Sequence, residues 1–258
     1  MPVKFLRTHA RITGALMMRE IITRFGREGL GFVWLVGEPL VFCVGVILMW
    51  SVLKPAYEHG IHVGAFVMTG YMCLVLMRHI INYMMNAVQA NIGMLYHKKI
   101  TVLHLIISRA TLELAGSTIA FFVVYVAMFL LDQVALPHNL FLLYAGWFSL
   151  FWLSTGMGLV LAALAMRFEV VERIVGIFMY MLIPISGVFV MVAWLPASYR
   201  DLYLLVPIPH TVEMVRAGVF GEFVQTYYDP LYPLAWGTVL IVVGLLLLAR
   251  AIKHIDVD

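Results

Sequence analysis

Six long apolar stretches constrain the fold of this chain more than any other feature of its sequence. Each is long enough to cross the roughly 30 Å hydrocarbon core of a bilayer as a helix. Of the 258 residues, 63% are hydrophobic and 12% charged, whereas a soluble domain is about half apolar and about a quarter charged. The sequence therefore predicts an all-α integral membrane protein with six transmembrane helices. They lie near residues 30–53, 63–87, 110–131, 141–166, 174–195 and 231–249.

The basic residues indicate how these helices are oriented. Lys54, Arg200 and Arg216 fall on one side of the predicted helices, and Arg78 lies inside a span. Because cytoplasmic loops are rich in Lys and Arg, the side with the other thirteen is predicted to be the cytoplasm, with both termini there. The net charge of +3 then reflects membrane topology and predicts no nucleic-acid partner. The thirteen are Lys4, Arg7, Arg11, Arg19, Arg24, Arg27, Lys98, Lys99, Arg109, Arg167, Arg173, Arg250 and Lys253.

Residues 1–29 precede the six-span domain, residues 30–258, and predict an amphipathic helix in the plane of the membrane interface. Arg19, Arg24 and Arg27 lie on other faces than the apolar residues, which recur at helical spacing. The segment has no uninterrupted apolar core before a small-residue cleavage site, so it is not a signal peptide. The pattern favours a simple anchor over a lever that receives force from a soluble partner. The apolar residues are Met18, Ile21, Ile22 and Phe25.

Several classes of function lack their motifs. None of the five lysines follows a glycine or precedes Ser or Thr, which excludes the phosphate-binding loop of P-loop ATPases. None of the seven serines has a glycine two positions earlier, as the nucleophile elbow of a hydrolase requires. Cys43 and Cys73 lack metal-ligand spacing, and no two histidines are four residues apart. We therefore predict no metal site and no catalytic residue in this chain, and we disfavour an intramembrane enzyme.

Two charged residues, Glu38 and Arg78, lie deep inside the first two predicted spans. Counted from the cytoplasmic ends, Glu38 and Arg78 are about 12 and 18 Å deep, so they are predicted to meet. One interpretation is an ion pair that joins the first two helices, and the other is a charged element of a transport pathway. Pro39 is tolerated in the first turn of a helix. Residues 37–39 therefore predict a hinge between an interfacial segment and the span proper.

Four stretches resemble one family. "LGFVWLVGEPL" follows a basic amphipathic segment with "TRFGREG". Further on come "VQANIGMLYHKKITVLHLIISRATLE" (88–113) and "IPISGVFVMVAWLPASYRDLYLLVPIPHTVEMVRAGVF" (183–220). In this order, with six spans, they resemble the permease subunits of ABC polysaccharide exporters, in the capsule-export branch. The chain departs from the family pattern at "VPIPH" (206–210), where an asparagine is expected before the proline.

The resemblance implies a half-transporter of the bacterial inner membrane that exports a lipid-linked capsular polysaccharide. Two copies of the chain form the pathway, and two copies of a separate ATPase subunit bind ATP and Mg. A periplasmic adaptor and an outer-membrane export protein are further implied partners. The alternatives are another glycan or lipid as cargo, such as O-antigen or teichoic acid, or, from other classes, an intramembrane enzyme or a passive channel.

The resemblance also implies where the ATPase docks, namely on the interface helix and on a coupling loop, residues 91–100. Without the family, the loop is more simply a solvated turn that carries the inside positive charge. Arg109 and Glu113, four residues apart on the following helix, are predicted to pair with each other. The implied coupling residues are Asn91, Tyr96, His97, Lys98 and Lys99.

The external segment, residues 196–230, is too polar to span the membrane and too apolar for a solvated loop. We predict two half-helices that dip back into the outer leaflet as a re-entrant segment. His210, Glu213 and Arg216 share a helical face, where they either guide an emerging polymer or satisfy one another.

Aromatic side chains are further candidates, because sugar rings stack on flat surfaces. Trp152 and Tyr180 are the aromatic residues predicted to line the pathway, and Arg78 is predicted to line it with them. The alternative is that these aromatic rings belong to the belt of Trp and Tyr found at membrane interfaces. Gly156, Gly158 and Ala162 predict a close approach between helices.

Overall fold

The computed structural model describes residues 2–25, 30–53, 57–58, 60–95, 100–221 and 224–253. A short antiparallel hairpin, β1 (Tyr57–Glu58) and β2 (Ile61–His62), precedes the third helix. Short 3-10 helices span Gln89–Met94 and Val192–Trp194. The α-helices formed by the described residues are α1 (Pro2–Phe25), α2 (Leu30–Leu53), α3 (Val63–Met85), α4 (Val102–Leu130), α5 (Leu140–Ala165), α6 (Val170–Ile185), α7 (Ala197–Tyr203), α8 (Pro207–Phe220) and α9 (Leu231–Ile252).

The helical class predicted from the apolar stretches is confirmed. Among the described residues, α3, α4, α5 and α9 are long and apolar enough to cross a membrane. α2 is also 24 residues long, and it contains the apolar helical stretch Leu40–Leu53. Helix α2 is continuous through residues 37–39, so the predicted break at this position is not formed.

The fifth apolar stretch folds differently from the prediction. A helix over 174–195 was expected, but α6 ends at Ile185, and its 16 residues rise only about 24 Å. Pro184 lies in its last turn, and Gly187 follows with a φ of +80°, a conformation that glycine adopts without strain. The chain therefore leaves the helix while its sequence is still apolar. Apolar composition alone could not reveal this end.

Local capping defines the ends of two of the spans. Thr101 and His104 form a capping box at the start of α4, which lengthens this helix by two turns relative to the predicted span. His62 caps α3 by accepting a hydrogen bond from the amide of Gly64 at 3.3 Å. Burial lowers the pKa of His62, which favours the neutral ring that can accept this bond.

Helices α3 and α5 form the centre of the bundle. α3 packs against α2, α4 and α5, and most of its residues are buried. α5 packs against α9, α8 and α3. A Cβ added at Gly156 would lie 2.8 Å from the Gly237 carbonyl oxygen, and one at Gly158 would lie 2.8 Å from the Met84 sulfur. Together with the fully buried Ala162, these contacts confirm the predicted close approach of helices.

The packing divides the molecule into two ends. The Gly158–Met84 contact brings the end of α5 to the end of α3, and Gly244 of α9 contacts Leu159 in the same way. This end also holds α1, which packs on α4, and we call it the α1 end. At the other end the amide of Asn139 donates to the carbonyl of Gly218, so α8 sits on the start of α5. We call this the α8 end.

Candidate functional site

A polar cavity of about 570 Å³ lies between α2, α3 and α6. Most of its wall is one stripe of α3, because residues three or four positions apart share a helical face. α2 contributes Glu38 and Phe42, and α6 contributes Tyr180. The α3 residues are Tyr71, Val75, Arg78, His79, Asn82 and Tyr83, and Asn86 follows as the C-cap of this helix.

Arg78 faces this cavity beside an aromatic ring. Its guanidinium carbon lies 5.1 Å from the centroid of the Tyr180 ring, a cation–π distance. Glu38 lines the same cavity, but within the described part of the chain no salt bridge joins it to Arg78. The predicted ion pair is therefore not formed, and the two charges face a common space instead. Tyr180 is 64% exposed in this single chain.

Behind the cavity, charged residues of α4 reach two other helices. The Glu113 carboxylate, which is buried, lies 3.3 Å from Nδ1 of His79, and His79 lines the cavity. Arg109 forms a 2.8 Å salt bridge to Glu20 of α1 and donates to the Tyr83 carbonyl at 3.0 Å. Spacing along α4 had suggested that Arg109 and Glu113 pair with each other, but the structure gives each a partner on another helix. These contacts connect α1 to the cavity wall.

The coupling loop is tied to α1 through Asn91. Arg19 donates to the Asn91 side-chain oxygen at 2.6 Å, and Asn91 donates to the Ala87 carbonyl at 3.0 Å. Asn91 is buried, so it holds α1 on the loop and is not itself a docking surface. The neighbouring Ile92 is 57% exposed. The other predicted coupling residues, Tyr96, His97, Lys98 and Lys99, lie outside the described residues.

At the α8 end, Arg216 is fully buried and richly bonded. Its guanidinium donates to the carbonyls of Gly187 and Val188, each at 2.6 Å. It lies 3.6 Å from the Glu213 carboxylate and 4.3 Å from the centroid of the Phe66 ring. The carbonyls belong to the turn that follows α6. Arg216 therefore fixes the position where α6 ends, and it does not face a pathway in this chain.

Glu213 belongs to the same buried network, and the nearby His210 is bonded to backbone. The Glu213 carboxylate accepts from the amides of Val192 and Tyr227 at 3.4 and 3.2 Å. His210 accepts at Nδ1 from the Asp229 amide at 2.8 Å, and its other ring nitrogen lies 2.8 Å from the Leu204 carbonyl. A guiding role needs side chains that a polymer can reach. We therefore replace that prediction for His210, Glu213 and Arg216 with the alternative of internal bonding: Glu213 and Arg216 pair with each other, and all three residues bond nearby backbone.

Trp152 also has a packing role. Its indole donates to the Thr238 hydroxyl at 3.0 Å, and its ring lies close against Gly237 of α9. It is not among the residues that line the cavity. Of the predicted pathway residues, the structure thus brings Arg78 and Tyr180 together, with Glu38 on the same cavity.

Sequence reasoning missed the rest of the cavity wall. His79, Asn82 and Asn86 lie three and four residues apart within an otherwise apolar span. This polar stripe was a usable signal, because polar side chains in a span face protein or water more often than lipid. A full charge such as that of Arg78 is a stronger signal inside a span than the other polar side chains of the stripe, so charge alone does not reveal the whole stripe.

The chain matches the family described as ABC-2 type transporter over residues 12–220, about four fifths of its length. The chain belongs to this family. This confirms the resemblance drawn from the four motifs. Members of the family are membrane transport subunits, so the interpretation as an intramembrane enzyme is set aside.

Several relatives within the family match nearly the whole chain. The capsule polysaccharide export inner-membrane protein CtrC of Neisseria meningitidis serogroup A is 36% identical over 246 residues, 95% of this chain and 93% of that protein. The protein BexB of Haemophilus influenzae, with the same description, is 35% identical over 251 residues, 97% of this chain and 95% of that protein. The polysialic acid transport protein KpsM of Escherichia coli is 26% identical over 237 residues, 90% of each chain.

Proposed function

We propose that this chain is the permease subunit of an exporter that moves lipid-linked capsular polysaccharide across the bacterial inner membrane. The observation that carries this proposal is the likeness to CtrC and BexB, at 36% and 35% identity over at least 95% of the chain. ATP, with Mg, is hydrolysed by a separate ATPase subunit. This assignment agrees with the sequence, which lacks the phosphate-binding loop.

The proposed membrane arrangement has six crossings, with both termini in the cytoplasm. α2, α3, α4, α5 and α9 supply five of them, and α6 together with the residues up to Trp194 supplies the sixth. The α1 end, which carries most of the basic residues, then faces the cytoplasm. The α8 end faces the periplasm, with α7 and α8 as the re-entrant helices in the outer leaflet.

The cavity between α2, α3 and α6 is the proposed path for the polymer. Arg78 is supported there by the Tyr180 ring and has no carboxylate partner in the described part of the chain. An unpaired cation inside a membrane attracts the acidic groups of a capsular sugar. The Asn82 and Asn86 amides can bond sugar hydroxyls, and Tyr180 offers a flat ring for stacking. Glu38 faces the same space and limits how tightly an anion is held.

A second copy of the chain is proposed to close the pathway. Tyr180, Ile177 and Met181 of α6 are each about two thirds exposed in the single chain. Because Tyr180 both lines the cavity and is exposed, a partner that covers α6 would also cover this side of the cavity. A homodimer with two ATPase subunits follows from this arrangement.

The ATPase is proposed to dock on α1 and the coupling loop, residues 91–100. The Arg19–Asn91 hydrogen bond and the Glu20–Arg109 salt bridge join α1, the loop and α4. Movement imposed on α1 would therefore reach the wall of the cavity. Replacing Tyr96, His97 and Lys98 with alanine should leave the protein in the membrane but abolish export, whereas wild-type export would contradict the coupling role. A periplasmic adaptor, itself linked to an outer-membrane export protein, is the proposed partner at the α8 end.

The test of this function is complementation in cells that lack the gene. Wild-type protein should restore surface capsule, and capsular polymer should accumulate inside cells without it. Accumulation of O-antigen or teichoic acid instead would support the second candidate cargo. Arg78→Ala should insert normally but export about tenfold less, the effect of losing roughly 1.4 kcal/mol of interaction. Arg78→Lys should restore much of this loss, and Arg173→Gln serves as the control for removal of an exposed charge at the α1 end.

A further inference from the structure

A second cavity, of about 520 Å³, lies at the α1 end between the ends of α5 and α9. Three cationic side chains line it, namely Arg167, Arg250 and Lys253. The rest of its wall includes Leu247 and Phe168. The cavity is distinct from the polar cavity described above, since the two share no residue.

Among the residues that the structure describes, the three cations have no acidic partner. Within the described residues no salt bridge involves any of them, and no acidic residue lines the cavity. The Arg167 guanidinium lies 5.5 Å from the centroid of the Phe168 ring. A helix C-terminus accounts for one nearby cation, but it does not explain three that converge on a cavity with an apolar wall.

The surroundings of the cavity indicate a site at the membrane surface. α9 is the most apolar of the candidate spans, and only 22% of the residues in its most apolar stretch are buried within the chain. Val239, Val242 and Leu246 are each more than half exposed along it. A ligand whose charge lies at the three cations would therefore meet an exposed apolar helix surface immediately beneath them.

We propose that this cavity binds the headgroup of an anionic glycerophospholipid from the cytoplasmic leaflet. The phosphodiester lies among Arg167, Arg250 and Lys253, and the acyl chains run along α9. Basic pockets between transmembrane helices on the cytoplasmic side suit such headgroups, because the cations also meet the negative potential of that leaflet. The proposal does not depend on which cargo the protein exports.

The test uses the full-length chain, delipidated in detergent, and three probes. These are phosphatidylglycerol, phosphatidylcholine with the same acyl chains, and inorganic phosphate. At about 100 times its Kd, phosphatidylglycerol should raise Tm by about 5 °C. Phosphatidylcholine and phosphate should leave Tm unchanged. An equal rise with phosphatidylcholine would contradict a charge-selective site, and an equal rise with phosphate would show an anion site that does not require a lipid.

Variants locate the site. Each of Arg167→Gln, Arg250→Gln and Lys253→Gln should weaken phosphatidylglycerol binding about fivefold, the effect of roughly 1 kcal/mol per cation. Arg173 is an exposed cation of the next helix, α6, and Arg173→Gln should not weaken phosphatidylglycerol binding. Native mass spectrometry of the wild-type protein provides a readout that needs no variant, and it should retain phosphatidylglycerol in preference to phosphatidylcholine. Unchanged binding in the three variants, or displacement of the lipid by the ATPase subunit, would overturn the assignment.

Discussion

Two arginines inside the helical bundle have opposite surroundings. Arg216 of α8 is fully buried, with two carbonyls at 2.6 Å and a carboxylate at 3.6 Å. Arg78 of α3 faces a cavity, with an aromatic ring at 5.1 Å and no salt bridge in the described part of the chain. The sequence suggested a pathway role for both. The comparison shows that the position of a charge along a predicted span does not reveal whether its bonds are already made within the protein, as for Arg216, or remain available to a ligand, as for Arg78.

The largest loss of stability should come from replacing Arg216, the arginine whose bonds all lie inside the protein. Arg216→Ala leaves the Glu213 carboxylate buried without its cation and frees two carbonyls, so we expect a loss of about 3–5 kcal/mol of stability. Thermal unfolding in detergent and the yield of folded protein measure it. Arg78→Ala is the matched control, because its side chain is not part of a buried network. Equal losses in the two variants would remove the distinction between these residues.

Substitutions at the contact between α1 and α4 should cause an intermediate loss of stability. Arg109 bonds both Glu20 of α1 and the Tyr83 carbonyl of α3, so its replacement releases two helices from α4. Arg109→Ala should therefore destabilise the protein more than Glu20→Ala, with both losses at about 1–3 kcal/mol. Thermal unfolding of the two variants decides the order. The reverse order would mean that the salt bridge, and not the bond to α3, holds this junction.

The smallest expected energy is the coupling between Glu38 and Arg78, the two charged residues that line the polar cavity. Since no salt bridge joins Glu38 to Arg78, a double-mutant cycle on stability should give a coupling energy below about 0.5 kcal/mol. The single variants Glu38→Ala and Arg78→Ala and their combination, unfolded in the same detergent, measure this energy. A coupling energy above 1.5 kcal/mol would show that the two side chains do contact, as the sequence had suggested.

The sequence predicted the location of the long helices, because this feature depends on the composition of whole segments. Apolar runs located the helices because crossing hydrocarbon requires about 20 apolar residues in sequence. The end of α6 could not be predicted in this way, since residues 186–195 remain apolar after the helix has ended. Its true end depends on Pro184, on Gly187 and on the bonds that Arg216, about 30 residues later, donates to the carbonyls of Gly187 and Val188.

The candidate sites show the same limit. Spacing placed His210, Glu213 and Arg216 on one helical face but could not indicate whether that face is buried. Similarly, the spacing of Arg109 and Glu113 suggested that they pair with each other. In the structure Arg109 pairs with Glu20 of α1, and Glu113 lies beside His79 of α3. The sequence named Arg78 and Tyr180 as separate pathway candidates, and only the packing of α3 beside α6 shows that both line one cavity.

The most direct measurement of the central claim is photocrosslinking of the polymer during export. A photoreactive phenylalanine analogue replaces Tyr180, which lines the polar cavity, or Phe148 of α5, which is 52% exposed but does not line it. If the cavity carries the polysaccharide, illumination of exporting cells should yield polymer adducts at position 180 and none at position 148. Adducts at both positions in equal amount, or none at position 180 while export continues, would contradict the account.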